Sequence, residues 1–340
     1  MKTKFLVIGT FLLVAFNFNA TAASLNDKLI HSIVKIKSYI SSEARTAQSL
    51  GTEREGSGII IDKTGHILTV GYLILEAETV EVTSSDGTTR PAMIIGYDYD
   101  TGFGLIRAKN SSDAIPMNLG KSSKIRQNDV VLVAVFQDYE PAKGAFVISR
   151  QDYAGYWEYL LEDAIFVSPP MNQFGGAALI SKDGALVGVG SLFTQLSVKG
   201  FGTVSCNVFI PIDRLMPILT DLKQNGRSRA KPKPWLGMYA NEVQGHVIVY
   251  RTAKGGPAEK AGLQPNDIIL NVGKTRIEGL ADFYRKLWAT GSAGVNVNLT
   301  ILRKTKVQTL KVKTDDRTRF FRTLGGRQVR LMSQVPSHDG

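Results

Sequence analysis

Gly56-Ser57-Gly58-Ile59-Ile60-Ile61-Asp62-Lys63-Thr64-Gly65-His66-Ile67-Leu68-Thr69 is the stretch that decides the fold. Two short β-branched runs, Gly58 to Ile61 and Ile67 to Val70, flank Asp62-Lys63-Thr64-Gly65, whose Asp and Gly suit a tight reversal between paired strands. The same pattern recurs outward, at Thr79 to Thr83, Ala92 to Tyr97, Phe103 to Ala108, Asp129 to Phe136 and Ala145 to Gln151. It continues through Ile165 to Val167, Ala177 to Ile180, Ala185 to Leu192 and Val204 to Ile210. Turn signals such as Ser85-Asp86-Gly87 and Lys109-Asn110-Ser111-Ser112 separate the runs. Many short strands at this spacing predict antiparallel barrels, so the chain is mostly β. Ahead of them, Leu25, Leu29, Ile33 and Ile36 recur near helical spacing, which predicts a short helix or a helix-to-strand lead-in over Leu25 to Ser38. Behind them, Leu215, Ile218, Leu219 and Leu222 place a closing helix within Ile212 to Gln224.

A chain of 340 residues exceeds one ordinary domain, and 43% hydrophobic with 21% charged residues excludes a disordered polymer. Lys2 and Lys4 precede an apolar stretch from Phe5 to Phe16 and the small residues Ala20-Thr21-Ala22, the pattern of a secretory signal peptide over residues 1–22. Export follows as the expectation. Cys206 is the one cysteine, so no intramolecular disulfide can form, and its neighbours point to a strand residue in the core.

The net charge of +11 becomes +9 once Lys2 and Lys4 are removed, 39 basic against 30 acidic residues. The excess gathers between Lys223 and Lys233 and between Arg317 and Arg330. Export leaves nucleic acid out as a partner, so the basic tail is read as a solubilising segment or as a contact with an anionic envelope surface. No His/Cys/Asp/Glu cluster has metal-ligand spacing and no glycine-rich phosphate loop is present, so no cofactor is expected.

After the closing helix, residues 225–234 have the Gly, Lys, Arg and Pro composition of a linker. A second unit over residues 235–314 opens with Trp235-Leu236-Gly237-Met238 and continues through Gly255-Gly256-Pro257-Ala258-Glu259-Lys260-Ala261-Gly262-Leu263-Gln264-Pro265-Asn266-Asp267-Ile268-Ile269. A helix from Leu280 to Ala289 and a strand from Val295 to Leu302 complete it, and residues 315–340 read as a mostly disordered tail.

The Gly56 to Leu68 block, Gly96-Tyr97-Asp98-Tyr99-Asp100-Thr101 and Phe174-Gly175-Gly176 together resemble the HtrA family of serine proteases. Residues 235–314 are similar to the PDZ domain that follows the protease domain there. The resemblance implies a trypsin-like double β-barrel over residues 25–224 followed by an α+β PDZ domain. It also implies a homotrimer or a partner protease, and peptide C-termini or unfolded proteins as ligands. Family members carry Thr-Asn-Asn-His, Thr-Asp-Leu-Ala and Gly-Asn-Ser-Gly-Gly around their triad. This chain reads Thr69-Val70-Gly71-Tyr72, Thr101-Gly102-Phe103-Gly104 and Asn172-Gln173-Phe174-Gly175-Gly176.

Tyr72, Gly102 and Phe174 thus stand where a base, an orienting carboxylate and a nucleophile are needed. Asn172 replaces a glycine at the oxyanion turn, and Ser205 to Pro211 alters the wall of the first substrate pocket. The expectation is a catalytically inactive pseudoprotease acting as adaptor, chaperone or regulatory subunit. An active endopeptidase with a non-standard catalytic residue and an envelope-associated scaffold are the alternatives. For peptide binding the resemblance points to Trp235, Leu236, Gly237 and Met238, and to Leu280, Phe283 and Leu287 on the groove helix, unless those three pack the core. Tyr153, Tyr156, Trp157 and Tyr159 form the most conspicuous aromatic group of the first unit, a client surface, a subunit interface or one packed strand face.

Overall fold

A computed structural model describes residues 29–321 apart from 30, 110–113, 138–140, 199 and 201. The signal peptide and residues 322–340 of the basic tail lie outside the described residues.

In β1 (Ile33–Ile40) apolar residues alternate with Lys35, Lys37 and Tyr39, and the inward set is buried. That period of two settles the later part of the lead-in: among the described residues Leu29 and His31 have helical backbone, and from Ile33 the chain is a strand. Of the two readings of the lead-in, the helix-to-strand one describes these residues, because β-branched residues alternating with lysines fit a half-buried sheet.

β1 opens a first closed barrel with β2 (Glu53–Ile60), β3 (His66–Val70), β4 (Ala77–Thr83), β5 (Thr89–Tyr97) and β6 (Phe103–Ala108), in the order β1-β2-β3-β6-β5-β4. A one-turn helix, α1 (Ala47–Leu50), bridges β1 and β2. The turn between β2 and β3 is fastened by Asp62, whose carboxylate accepts from Thr64 N at 2.9 Å, with Gly65 left-handed at φ 80°.

A second closed barrel holds β7 (Val130–Ala134), β8 (Ala142–Gly155), β9 (Tyr159–Ser168), β10 (Ala178–Ile180), β11 (Leu186–Val198) and β12 (Gly202–Pro211), ordered β10-β11-β12-β9-β8-β7. A helix, α2 (Met216–Asn225), follows it; Leu222 is fully buried and Gly226 caps the end in the left-handed conformation. The third sheet runs β13-β14-β15-β17-β18, from β13 (Met238–Val243), β14 (His246–Thr252), β15 (Ile268–Val272), β17 (Asn296–Arg303) and β18 (Lys306–Lys313), with β16 (Thr275–Arg276) paired to β15. Two helices complete it, α3 (Pro257–Lys260) and α4 (Leu280–Trp288). This is the double barrel followed by an α+β sheet unit that the resemblance implies.

The chain after Asp316 departs from expectation. Asp316 caps α5 (Arg317–Phe320), and Phe320 packs on Trp235 with ring centroids 4.5 Å apart. Residues 315–321 are thus docked, because two aromatic rings and a capped turn outweigh the polar composition around them. The linker also touches both units: Lys233 lies 4.2 Å from the Trp288 ring centroid and 3.3 Å from Asp100.

The strand register brings three distant segments together. Val70 pairs with Phe103, so the residue after β3 meets the residue before β6, and Gly71 N–H donates to Gly102 O at 2.7 Å. Ser57 N–H donates to Gly175 O across the two barrels at 2.8 Å, and Gly176 N–H donates to Gly190 O at 2.8 Å. Gly176 has φ 74°, and a Cβ there would lie 1.8 Å from Ser57 O and 2.6 Å from Thr69 Oγ1. Gly176→Ala should therefore lower stability by at least about 3 kcal/mol or abolish folding, read as the urea midpoint, because backbone on both sides blocks relaxation.

Candidate functional site

The crevice between the barrels is lined by main-chain contacts that do not depend on catalytic side chains. Tyr72 follows β3, and its hydroxyl lies where a Cβ on Gly175 would be 2.7 Å away, so Tyr72 and the Phe174 loop face each other. Gly102 completes the set through its carbonyl bond with Gly71. The structure therefore brings the three predicted positions to one place.

Their chemistry is poor in proton-transfer groups. Burial holds the Tyr72 phenol well above its ordinary value, further from the range of a base at neutral pH. Gly102 is left-handed at φ 85°, and a Cβ on it would sit 3.0 Å from the Tyr159 hydroxyl. Tyr159 thus occupies the space a carboxylate at residue 102 would need. Phe174 is half-buried, its ring 6.5 Å from that of the half-exposed Phe193. Asn172 is not left-handed; the left-handed residue of this loop is Gly176. Asn207, buried on β12, holds the loop from behind: its Oδ1 accepts from Met171 N at 2.6 Å and its Nδ2 donates to Met171 O at 3.3 Å.

No described histidine serves this crevice. His31 Nδ1 lies 2.6 Å from Ser85 Oγ in an exposed surface pair. His246 contacts Gln244 O across its own hairpin turn. At His66, Nδ1 lies 2.8 Å from Asp62 Oδ2 and 2.9 Å from Thr64 Oγ1. The Thr64 hydroxyl and the carboxylate thus meet one ring nitrogen, and that hydroxyl donates to Asp62 at 2.7 Å. A relay would need them on opposite nitrogens. Cys206 is fully buried on β12, and burial pushes its thiol up to about 11, which removes the thiolate a nucleophile requires.

The second site is the loop before β13. Trp235 is buried, bridges to Asp315 and packs on Phe320. Gly237 is left-handed at φ 72°, which turns the amides of Leu236 and Met238 toward the same side. Both donate to the Glu158 carboxylate, Leu236 N to Oε2 at 3.0 Å and Met238 N to Oε1 at 2.8 Å. Glu158 is 4% exposed and comes from the turn between β8 and β9 in the second barrel.

Around it, Ala240 N–H donates to Tyr156 O at 2.8 Å, and the Tyr284 hydroxyl donates to Gly155 O at 2.7 Å while accepting from Glu158 N at 3.1 Å. Arg317 Nη1 donates to Glu158 O at 3.0 Å. Leu280, Phe283 and Leu287 are buried in the apolar cluster of this unit, and from α4 Tyr284 reaches the hairpin tip while Arg285 pairs with Asp152 on β8.

Two families match the sequence, trypsin-like peptidase domain over residues 56–189 and PDZ domain over residues 234–314. The probable periplasmic serine endoprotease DegP-like of Hahella chejuensis is 27% identical over 267 residues, 73% of this chain and 54% of that protein. Serine protease Do-like HtrA of Bacillus subtilis is 25% identical over 292 residues, 77% of this chain and 64% of that protein. The chain spans between about half and two thirds of the length of these relatives. HtrA-type protease AlgW, solved with a decapeptide, superposes with a TM-score of 0.54 at 19% identity, covering 87% of this chain and 98% of that one. The serine endoprotease from Yersinia pestis superposes at 0.51, also at 19% identity, covering 86% of this chain and 97% of that one. At such identity the superpositions establish the shared fold. This chain is an HtrA-family protein.

Within this HtrA-family frame, the residues that sequence reasoning missed are Glu158, Tyr284, Asn207 and Arg317. A buried Glu in a hairpin turn has no partner in its own neighbourhood, so only the position of the aromatic group around it hinted at a role. Burial raises the Glu158 carboxyl from an ordinary 4.5 to about 7, against the amides of Leu236, Met238 and Gly237 and the charge of Arg317, which pull it down. Between those two values the folded chain keeps a proton that the unfolded chain releases. The stabilisation from this group is therefore full below about pH 4.5 and is lost as pH rises through about 7. Relative to Glu158→Gln, which does not titrate, the wild type should lose on the order of 3 kcal/mol across that window, read from urea midpoints at each pH.

Proposed function

We propose that this chain is an exported, catalytically inactive HtrA-family protein that binds peptides or misfolded proteins as an adaptor, chaperone or regulatory subunit. The observation that carries the reading is the crevice itself. Tyr72, Gly102 and Phe174 meet where the chemistry needs a base, a carboxylate and a nucleophile, and the described histidines lie elsewhere. Loss of a whole triad costs roughly a millionfold in turnover, about 8 kcal/mol of barrier. Phe174 has no nucleophilic atom and Gly102 no side chain, so no change of protonation state restores either.

Export rests on the basic and apolar start of the sequence and on relatives named periplasmic. Peptide binding rests on a sheet-edge groove with a loop of converging amides, together with the peptide-bound HtrA-type structure. The homotrimer or partner protease, and contact of the basic tail with an anionic surface, belong to the same proposal.

The purified mature chain should neither digest casein nor take up a fluorophosphonate serine label. Phe174→Ser should remain inactive, since the new hydroxyl has no imidazole beside it. Casein cleavage by the wild type that co-purifies with the label would overturn the reading, and the labelled residue would identify the nucleophile.

A further inference from the structure

The hairpin tip at Tyr156–Glu158 bears on how the groove of the PDZ unit is reached by a ligand. β13 is the edge strand of its sheet, and a peptide added there would pair with β13 and end at the loop that precedes it. The tip already makes those contacts. Ala240 N–H gives Tyr156 O the ladder bond that an incoming strand would take, and two residues later the Glu158 carboxylate receives the Leu236 and Met238 amides. From the helix side, Tyr284 bonds to Gly155 O and Glu158 N, and Leu160 is buried in the apolar cluster of the PDZ unit.

The turn alone does not call for this residue. Gly155 pairs with Tyr159, leaving the loop Tyr156-Trp157-Glu158, whose last position is left-handed, φ 55° at Glu158. That position favours glycine, and nothing in hairpin geometry favours a buried acid. The left-handed backbone turns the main chain away into β9 while the side-chain carboxylate continues into the amide loop. A side-chain carboxylate can thus stand where a chain terminus would. The carboxylate accepts from the Leu236 and Met238 amides, while Tyr284 from α4 accepts from the main-chain N–H of Glu158 and Arg317 from α5 donates to its main-chain O.

We propose that the Tyr156–Glu158 tip is a built-in occupant of the PDZ groove, its Glu158 carboxylate replacing the terminal carboxylate of a peptide, so that peptides with a free C-terminus bind by displacing it. This rests on the peptide-binding reading above and adds that the site is closed at rest. An apparent dissociation constant then exceeds the intrinsic one by the inverse of the open fraction. A ligand with Tyr two residues before its terminal carboxylate fits the contact that Tyr156 makes with Tyr239, ring centroids 6.2 Å apart.

The test uses the full mature chain and a fluorescein-labelled Ala-Gly-Tyr-Trp-Leu peptide, with a free C-terminus or as its amide. Anisotropy should show the free-carboxylate peptide binding Glu158→Ala at least about tenfold more tightly than wild type, with little gain for the amide. Without peptide, hydrogen exchange at the Leu236, Met238 and Ala240 amides should be faster in the variant. Glu158→Gln, which keeps the side-chain volume, should shift both readouts in the same direction and serves if Glu158→Ala folds poorly.

Faster exchange with no peptide binding to any form would support the built-in occupant and sink the peptide-binding reading. Equal peptide affinity in wild type and both variants, with unchanged exchange, would overturn the occupant and leave peptide binding standing.

Discussion

A carboxylate withdrawn from water must be surrounded by donors, and the way Glu158 meets that requirement determines how the two units of this chain are joined. Removing a charge from solvent costs several kcal/mol, whereas a hydrogen bond to a charged acceptor returns about 1.5–3 kcal/mol. Two converging amides from the PDZ unit are therefore the least that makes the burial tolerable, and they are supplied by a loop whose Gly237 turns them the right way. The dependence is mutual. Without the hairpin those amides would need water or a ligand, and without the loop the acid could not stay buried.

The crevice obeys a different constraint. Its shape is held by backbone pairs, Gly71 with Gly102, Ser57 with Gly175 and Gly176 with Gly190, none of which uses a catalytic side chain. A double barrel can therefore keep the outline of this crevice whichever side chains line it. The replacements are consistent with packing: Tyr72 covers Gly175, and the Tyr159 hydroxyl fills the space beside Gly102 and donates to Thr101 O at 2.8 Å. An aspartate restored at residue 102 would have to compete with that phenol.

The barrels were legible because their signals are local. Phe103 to Ala108 reads as a strand and is β6 to the residue, since its apolar run is bounded by turn residues on both sides. The lead-in stayed open between two readings because Leu29, Ile33 and Ile36 satisfy a helical period by coincidence, while the lysines between the later ones impose a period of two. The docking of α5 was hidden because Phe320 finds its partner, Trp235, far back along the chain. Glu158 was illegible for the same reason in stronger form. Its partners lie 78 and 80 residues away, and its role depends on a side chain imitating a chain end. A hairpin signal can be read from neighbours; a group that answers a distant loop cannot.

Glu158 and Tyr159 are adjacent, and they face opposite sites. One meets the amides of the PDZ loop, and the other reaches Thr101 beside Gly102 in the crevice. A displaced tip would loosen the start of β9, and with it the phenol beside Gly102. Because coupling between two sites is reciprocal, whatever binds the crevice and shifts Tyr159 would also bias the groove. That connection consists of one turn, one phenol, two main-chain amides and one main-chain carbonyl.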